Sequence, residues 1–183
     1  TGNLQLVPTE DRLIGPGASP VMAAFTHLGF GSRFTNGDFG VYYAADSLET
    51  AIAETVYHKE LEMAAANEES IELTMRCYIG DIARPMHDIR ARHFADLHDP
   101  DDYAASQAFG AKYRAKGSDG LLYHSVRRPG HECIAAFRPV ALHAPVQGGH
   151  LRYFWDGQKR RITHWARISD AHEVMPGTDR TGW

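Results

Sequence analysis

Ser47 stands directly before Leu48, Ala51, Ile52, Thr55 and Val56, small or apolar-faced residues that recur at i, i+3, i+4, i+7 and i+8. A hydroxyl ahead of a run with that period predicts a capped helix over 48–66 that buries one stripe. Glu54 falls on a flank of the stripe, two turns in, where a carboxylate can face a cleft rather than the core. His58 follows one turn later on the same side. Immediately upstream, GFGSRFTNGDFGVYYAAD carries Arg33 in a Gly-rich loop and leads into the β-prone run 41–44, which holds Tyr43. Gly29 and Gly31 let backbone approach a ligand closely, and a guanidinium beside them suits phosphate oxygens. An arginine, an aromatic ring and a carboxylate thus arrive on three successive elements, parts suited to an anionic, aromatic substrate.

The remaining segments predict how that site is framed. Ser19 followed by Pro20 reads as a helix start, the hydroxyl capping free amides, with a short helix over 21–27. Ile71, Leu73, Met75, Cys77 and Ile79 alternate with Glu72, Thr74, Arg76 and Tyr78, a half-buried strand. Residues 85–100, rich in His, Arg and Asp, read as an irregular connection with one helical turn. Asp101 or Asp102 caps a helix that reaches Ala115 and closes at Gly117. Strands over 120–126 and 133–137 form a hairpin around a Pro-Gly turn, and 151–155 with 161–166 form a second around Asp156-Gly157-Gln158-Lys159. Residues 170–183 are polar and read as a loose tail. Thr1 and Gly2 read as a cloning remnant. The expectation is one α+β domain over 3–169, with a mainly antiparallel central sheet and flanking helices.

Composition excludes some functions. A chain of 183 residues with 43% hydrophobic and 23% charged residues buries a core without staples. Its net charge of -4 gives no overall basic field, so no direct nucleic-acid partner is expected, although Arg and His gather toward the C-terminus. Cys77 and Cys133 are far apart in no CxxC spacing and read as small buried hydrophobes. No apolar run approaches the roughly 18 residues of a membrane span, so a cytoplasmic protein without membrane contact is expected. Eleven histidines invite a metal, yet there is no HExxH and no paired short-spaced His or Cys, so no metal site is expected. Ser125, in LYHSVRRPG, lacks the GxSxG elbow of a serine hydrolase.

Two long runs, GSRFTNGDFGVYYAADSLETAIAE and SQAFGAKYRAKGSDGLLYHSVRRPGHECIAAF, resemble the RES domain, named for its arginine, glutamate and serine. The resemblance covers about Arg12 to Phe137, with its elements in order. It implies a toxin of a bacterial toxin–antitoxin pair, neutralised by an Xre-type helix-turn-helix antitoxin. It further implies a fold similar to ADP-ribosyltransferases and cleavage of the nicotinamide–ribose bond of NAD+. Arg33 matches the family arginine, Glu54 the glutamate, Ser125 the serine and Tyr43 the tyrosine of a YxAxS segment, while Arg12 matches an early arginine. The common Arg-Phe-Asn-Pro run is here Arg33-Phe34-Thr35-Asn36-Gly37, a change in the loop over the substrate.

On that resemblance Glu54 stabilises an oxocarbenium-like ribose, Arg33 and Arg12 hold the pyrophosphate and Tyr43 stacks on nicotinamide. Ser125 orients an amide or phosphate, and His58 bonds Glu54 or activates an acceptor. No cofactor is implied beyond NAD+ as substrate. The ADP-ribose goes to a protein acceptor, to water or to phosphate. The rival reading is a non-catalytic domain that binds a nucleotide or an antitoxin without turnover. Because Arg33 sits in a loop and Glu54 beside the stripe, replacing either is expected to change stability little.

Overall fold

The structure, a computed structural model, describes residues 2–168. Within them lie α1 (Ala18–Thr26), β1 (Tyr42–Ala45), α2 (Leu48–Ala65), β2 (Ile71–Ile79) and β3 (His87–Asp88). There follow α3 (Ala104–Ala115), β4 (Gly120–His124), β5 (Glu132–Ala136), β6 (Val146–Asp156) and β7 (Arg161–Ile168). Single 3-10 segments occur at Leu4–Leu6, Thr9–Asp11, Arg92–His98 and Pro139–Ala141. The polar tail expected at 170–183 lies outside the described residues.

The expected antiparallel α+β character holds, with the strands divided between two sheets. One has the order β1-β5-β4-β3, antiparallel except where β3 runs parallel to β4; the other is the antiparallel set β2-β6-β7. The division follows from β2, whose alternation specifies a face but not a partner. It pairs with β6, from Ile71 opposite Trp155 to Ile79 opposite Val146, and not with β1 or β5. Both predicted hairpins form, as β4 with β5 and β6 with β7.

Period-two alternation sorts β1, β4 and β5 onto two faces. Tyr43, Cys133, Ala135, Leu121 and Tyr123 join a cluster with Phe34, Phe39, Ile89, Leu97 and Phe137. Tyr42, Ala44, Ile134, Ala136 and Leu122 face the other way, onto α1 through Val21, Met22 and Phe25. Helix α2 closes on the second sheet with Leu48, Ile52 and Val56 against Leu73, Leu151 and Tyr153. The Tyr153 and Thr55 hydroxyls meet at 2.8 Å, which satisfies a phenol in an otherwise apolar contact. That anchoring turns the Glu54 flank of α2 toward the first sheet. Helix α3 packs on the same face of that sheet and lies directly on the Gly-rich loop, because Gly110 has no Cβ to collide with the Phe34 carbonyl.

Several local expectations are corrected. Helix α1 begins at Ala18, with Gly17 in the left-handed region (φ 80°) at the cap position and no side-chain cap. Ser19 and Pro20 lie inside its first turn, where proline's missing N–H leaves no bond unmade. Thr50, outside the predicted stripe of α2, is fully buried. Ile71 and Ile79 are exposed, since α2 covers only the middle of β2; Leu73, Met75 and Cys77 are partly buried. Strand β4 stops at His124, which leaves Ser125 in the turn that follows. Tyr103 occupies the cap position of α3, and the aspartates act around it: Asp102 accepts from the Ala104 N–H at 2.8 Å. Among the described residues no helix is long and apolar enough to cross a membrane.

Candidate active site

Ser47 caps α2 as its sequence predicts, accepting from the Thr50 N–H, and this fixes the rotation that presents Glu54. Glu54 is partly buried. Its Oε1 accepts from the Ser125 hydroxyl at 2.6 Å and from the Arg127 N–H at 3.4 Å. Oε2 has no hydrogen-bond partner among the described residues. One carboxylate oxygen is thus tethered to the turn after β4, and the other is left for a ligand. Ser125 is buried, and its oxygen accepts from the Arg128 N–H at 3.0 Å, so its proton is directed at Glu54. The hydroxyl of the serine expected to orient an amide or phosphate is bonded to the glutamate in this structure. Cys133 lies beneath, with its sulfur 4.0 Å from Oε1. Burial and the nearby Glu54 charge push its thiol up to about 12, which disfavours the thiolate.

Arg33 is only 7% exposed, unlike the surface charge its loop suggests. It donates to the carbonyls of Asp99 at 2.7 Å and Leu97 at 3.4 Å, and its guanidinium lies 4.6 Å from the centre of the Tyr103 ring. The loop around it is fastened at three points. Ser106 donates to the Arg33 carbonyl at 2.6 Å, Gln107 donates to the Ser32 carbonyl at 3.0 Å, and Tyr43 bonds Ser32 Oγ at 2.8 Å. The Phe34 N–H also donates to the Tyr43 oxygen, at 3.1 Å. Burial raises the Tyr43 phenol to about 12 despite these bonds. Tyr43 therefore pins the Gly-rich loop with its hydroxyl while its ring packs on the core.

His58 is exposed and makes no hydrogen bond to Glu54 among the described residues; its ring meets Tyr57 edge-on at 5.3 Å. Partial burial lowers its pKa against the opposing pull of Glu54, and the charges of Arg127 and Arg33 lower it further. Arg12 is not joined to this cluster by any hydrogen bond. It donates to the Val7 and Leu4 carbonyls, both at 2.9 Å, and ties together the N-terminal 3-10 turns.

Arg127 and Arg128 lie in the Pro-Gly turn between β4 and β5, where the sequence by itself assigns them no role. Arg128 donates to Ser47 Oγ at 3.1 Å and Thr50 Oγ1 at 3.0 Å, which locks the turn to the start of α2. Arg127 lies 3.3 Å from the centre of the Tyr57 ring. The available signal was two adjacent guanidiniums within three residues of Ser125. No ion pair joins Glu54 to any arginine among the described residues. Arg127 and Arg128 in the turn after β4 and Arg33 across the segment 97–100 bring positive charge to the elements around Glu54, with Asp46 and Asp101 on the same elements, so cations suited to an anion and a carboxylate suited to a cationic centre stand on neighbouring elements. No three His, Cys, Asp or Glu side chains gather as metal ligands among the described residues. A cavity of about 670 Å³ opens between the two sheets, lined by Tyr42, Ala44, Ile134, Met75 and Leu151, on the face of β1 turned away from Glu54.

The chain matches the RES domain family over residues 10–156. It is 29% identical over 157 residues to the "uncharacterized protein y4oC" of Sinorhizobium fredii, an alignment that takes in 85% of this chain and 65% of that protein. The chain thus spans just under two thirds of that relative's length. Because the family match runs from the N-terminal turns to the end of β6, and includes every element that holds Glu54, the chain belongs to the RES domain family.

Proposed function

We propose that the protein is the toxin of a toxin–antitoxin pair and cleaves the nicotinamide–ribose bond of NAD+, its activity blocked by an Xre-type antitoxin. The observation that carries this reading is Glu54: a carboxylate held by one oxygen and in no ion pair among the described residues, with Arg127 and Arg128 on the turn that tethers it. The C–N bond electrons leave with nicotinamide, which departs neutral, and the ribose carbon becomes oxocarbenium-like. Glu54 Oε2 stabilises that charge. At about 4 Å and an effective dielectric of about 20 the attraction is about 4 kcal/mol, on the order of a thousandfold in rate. A protein side chain, water or phosphate then attacks the ribose carbon and gives up its proton. Departure as a neutral base needs no acid at the leaving group.

Release of free nicotinamide from NAD+ by the pure protein tests this directly. Turnover is expected, with ADP-ribose appearing on an added protein, free in solution or as a phosphate ester. NAD+ that binds without nicotinamide release identifies a nucleotide-binding domain and overturns the cleavage reading.

The Ser125 contact gives a second expectation. Ser125→Ala removes the donor that aims Glu54 and leaves the guanidiniums in place. Turnover should fall about tenfold, the equivalent of about 1.4 kcal/mol, while the dissociation constant of NAD+ stays within about twofold. A variant whose affinity falls and whose turnover does not would show the serine touching substrate rather than positioning the glutamate.

A further inference from the structure

Resting on the reading just given, we propose that Arg127 is a second anion-binding residue of the Glu54 cleft and, with Arg33, holds the diphosphate of the ligand. Arg127 lies two residues beyond Ser125, and its backbone N–H points at Glu54 Oε1. Its side chain crosses from the β4–β5 turn to the segment before α3. It passes over the Tyr57 ring of α2 and donates from NH2 to the Pro100 carbonyl. Arg33 reaches the same segment from the Gly-rich loop, through Leu97 and Asp99. Two guanidiniums on different elements thus converge on residues 97–100, beside the flank of α2 that carries Glu54.

The hydrogen-bond inventory separates Arg127 from a simple strut. A guanidinium has five N–H donors. Among the described residues only NH2 of Arg127 finds an acceptor, and Nε is buried with no partner. No carboxylate stands within ion-pair distance of it among those residues. A partly buried cation with idle donors and no carboxylate in contact, Asp101 reaching only the hydroxyl of the Tyr57 ring beneath it, is a poor structural device, because desolvation is incompletely compensated. Its neighbour Arg128 shows what a strut looks like at the same turn, with NH1 shared between Ser47 and Thr50. A diphosphate supplies what Arg127 lacks: negative charge, and paired oxygens that match the guanidinium fork. The Tyr57 face keeps the planar group oriented while it is free of an anion.

Calorimetric titration of the full chain with inorganic pyrophosphate and with NAD+ tests the assignment, on wild type, Arg127→Ala and Arg127→Lys. Arg127→Ala should weaken both ligands by about tenfold or more, and Arg127→Lys, which keeps the charge but not the fork, should lose less. The loss of affinity should exceed any loss of turnover at saturating NAD+, since phosphates are charged before and during reaction. If both ligands bind Arg127→Ala within about twofold of wild type, Arg127 is a strut and the assignment falls. It falls also if wild type binds neither ligand. If wild type binds pyrophosphate, Arg127→Ala loses it and neither protein releases nicotinamide, Arg127 stands while the cleavage reading fails. Should Arg127→Ala not fold by circular dichroism, Arg127→Gln takes its place with the same expected loss relative to Arg127→Lys.

Discussion

Glu54→Gln should lower turnover of NAD+ by at least about a hundredfold, roughly 2.7 kcal/mol, with NAD+ affinity within a few-fold of wild type. The substitution suits the local geometry. Glutamine keeps an oxygen to accept from the Ser125 hydroxyl and the Arg127 N–H, so the turn after β4 keeps its tether to α2. What disappears is the charge on the side that faces the ligand. Bound NAD+ has no oxocarbenium to stabilise, so the ground state loses little; the transition state loses an attraction of the order computed for a carboxylate at contact distance. Removing a negative charge also favours an anionic ligand slightly. Thermal melting should move little, because Glu54 makes no ion pair among the described residues. Steady-state kinetics beside calorimetric binding would decide the matter, and near-normal turnover in a folded Glu54→Gln protein removes Glu54 from the chemistry.

The second large effect reverses an expectation drawn from the sequence. Arg33→Ala should weaken NAD+ binding and also destabilise the protein, by about 2–4 kcal/mol. A loop arginine is ordinarily a solvated charge whose loss costs little stability. Here the side chain is 7% exposed, and its removal leaves the Leu97 and Asp99 carbonyls short of a donor and the Tyr103 ring without its cation. At about 2–4 °C per kcal/mol for a chain of this size, the melting temperature should fall by roughly 5–15 °C. Binding must therefore be measured on folded protein, well below that transition. A melting temperature within about 2 °C of wild type would show that the contacts to residues 97–103 contribute nothing net.

The two variants are informative as a pair. Glu54 and Arg33 look alike in sequence, each a charged residue beside a glycine-rich or apolar pattern, yet the fold gives them different duties. Glu54 is suspended by one hydroxyl and one amide, so its charge is available. Arg33 is built into the packing of residues 97–103, so its loss is expected to affect local stability as well as binding.

The sequence by itself determined what depends on neighbours along the chain. Ser47 before a period of 3.6 specifies the start, length and rotation of α2, and so places Glu54 on its flank. Gly117 stops α3, and Asp156-Gly157 folds the β6–β7 hairpin. Each is settled within a few residues by backbone sterics and local hydrogen bonds. Arg33, Glu54 and Ser125 were legible as a group through their resemblance to the RES domain. Tertiary structure alone decided what depends on groups distant in sequence. Nothing near Ile71 says that β2 pairs with β6, because alternation specifies a face and not a partner. Nothing near Ser125 says that its proton goes to Glu54, 71 residues earlier, since a hydroxyl accepts whatever packing brings to it. Arg33 is buried only because residues 97–103 close over it, and Arg127 is drawn to α2 and residue 100 only because Tyr57 and Pro100 meet it there. Burial and hydrogen-bond partners are properties of the packed chain, and no local pattern encodes them.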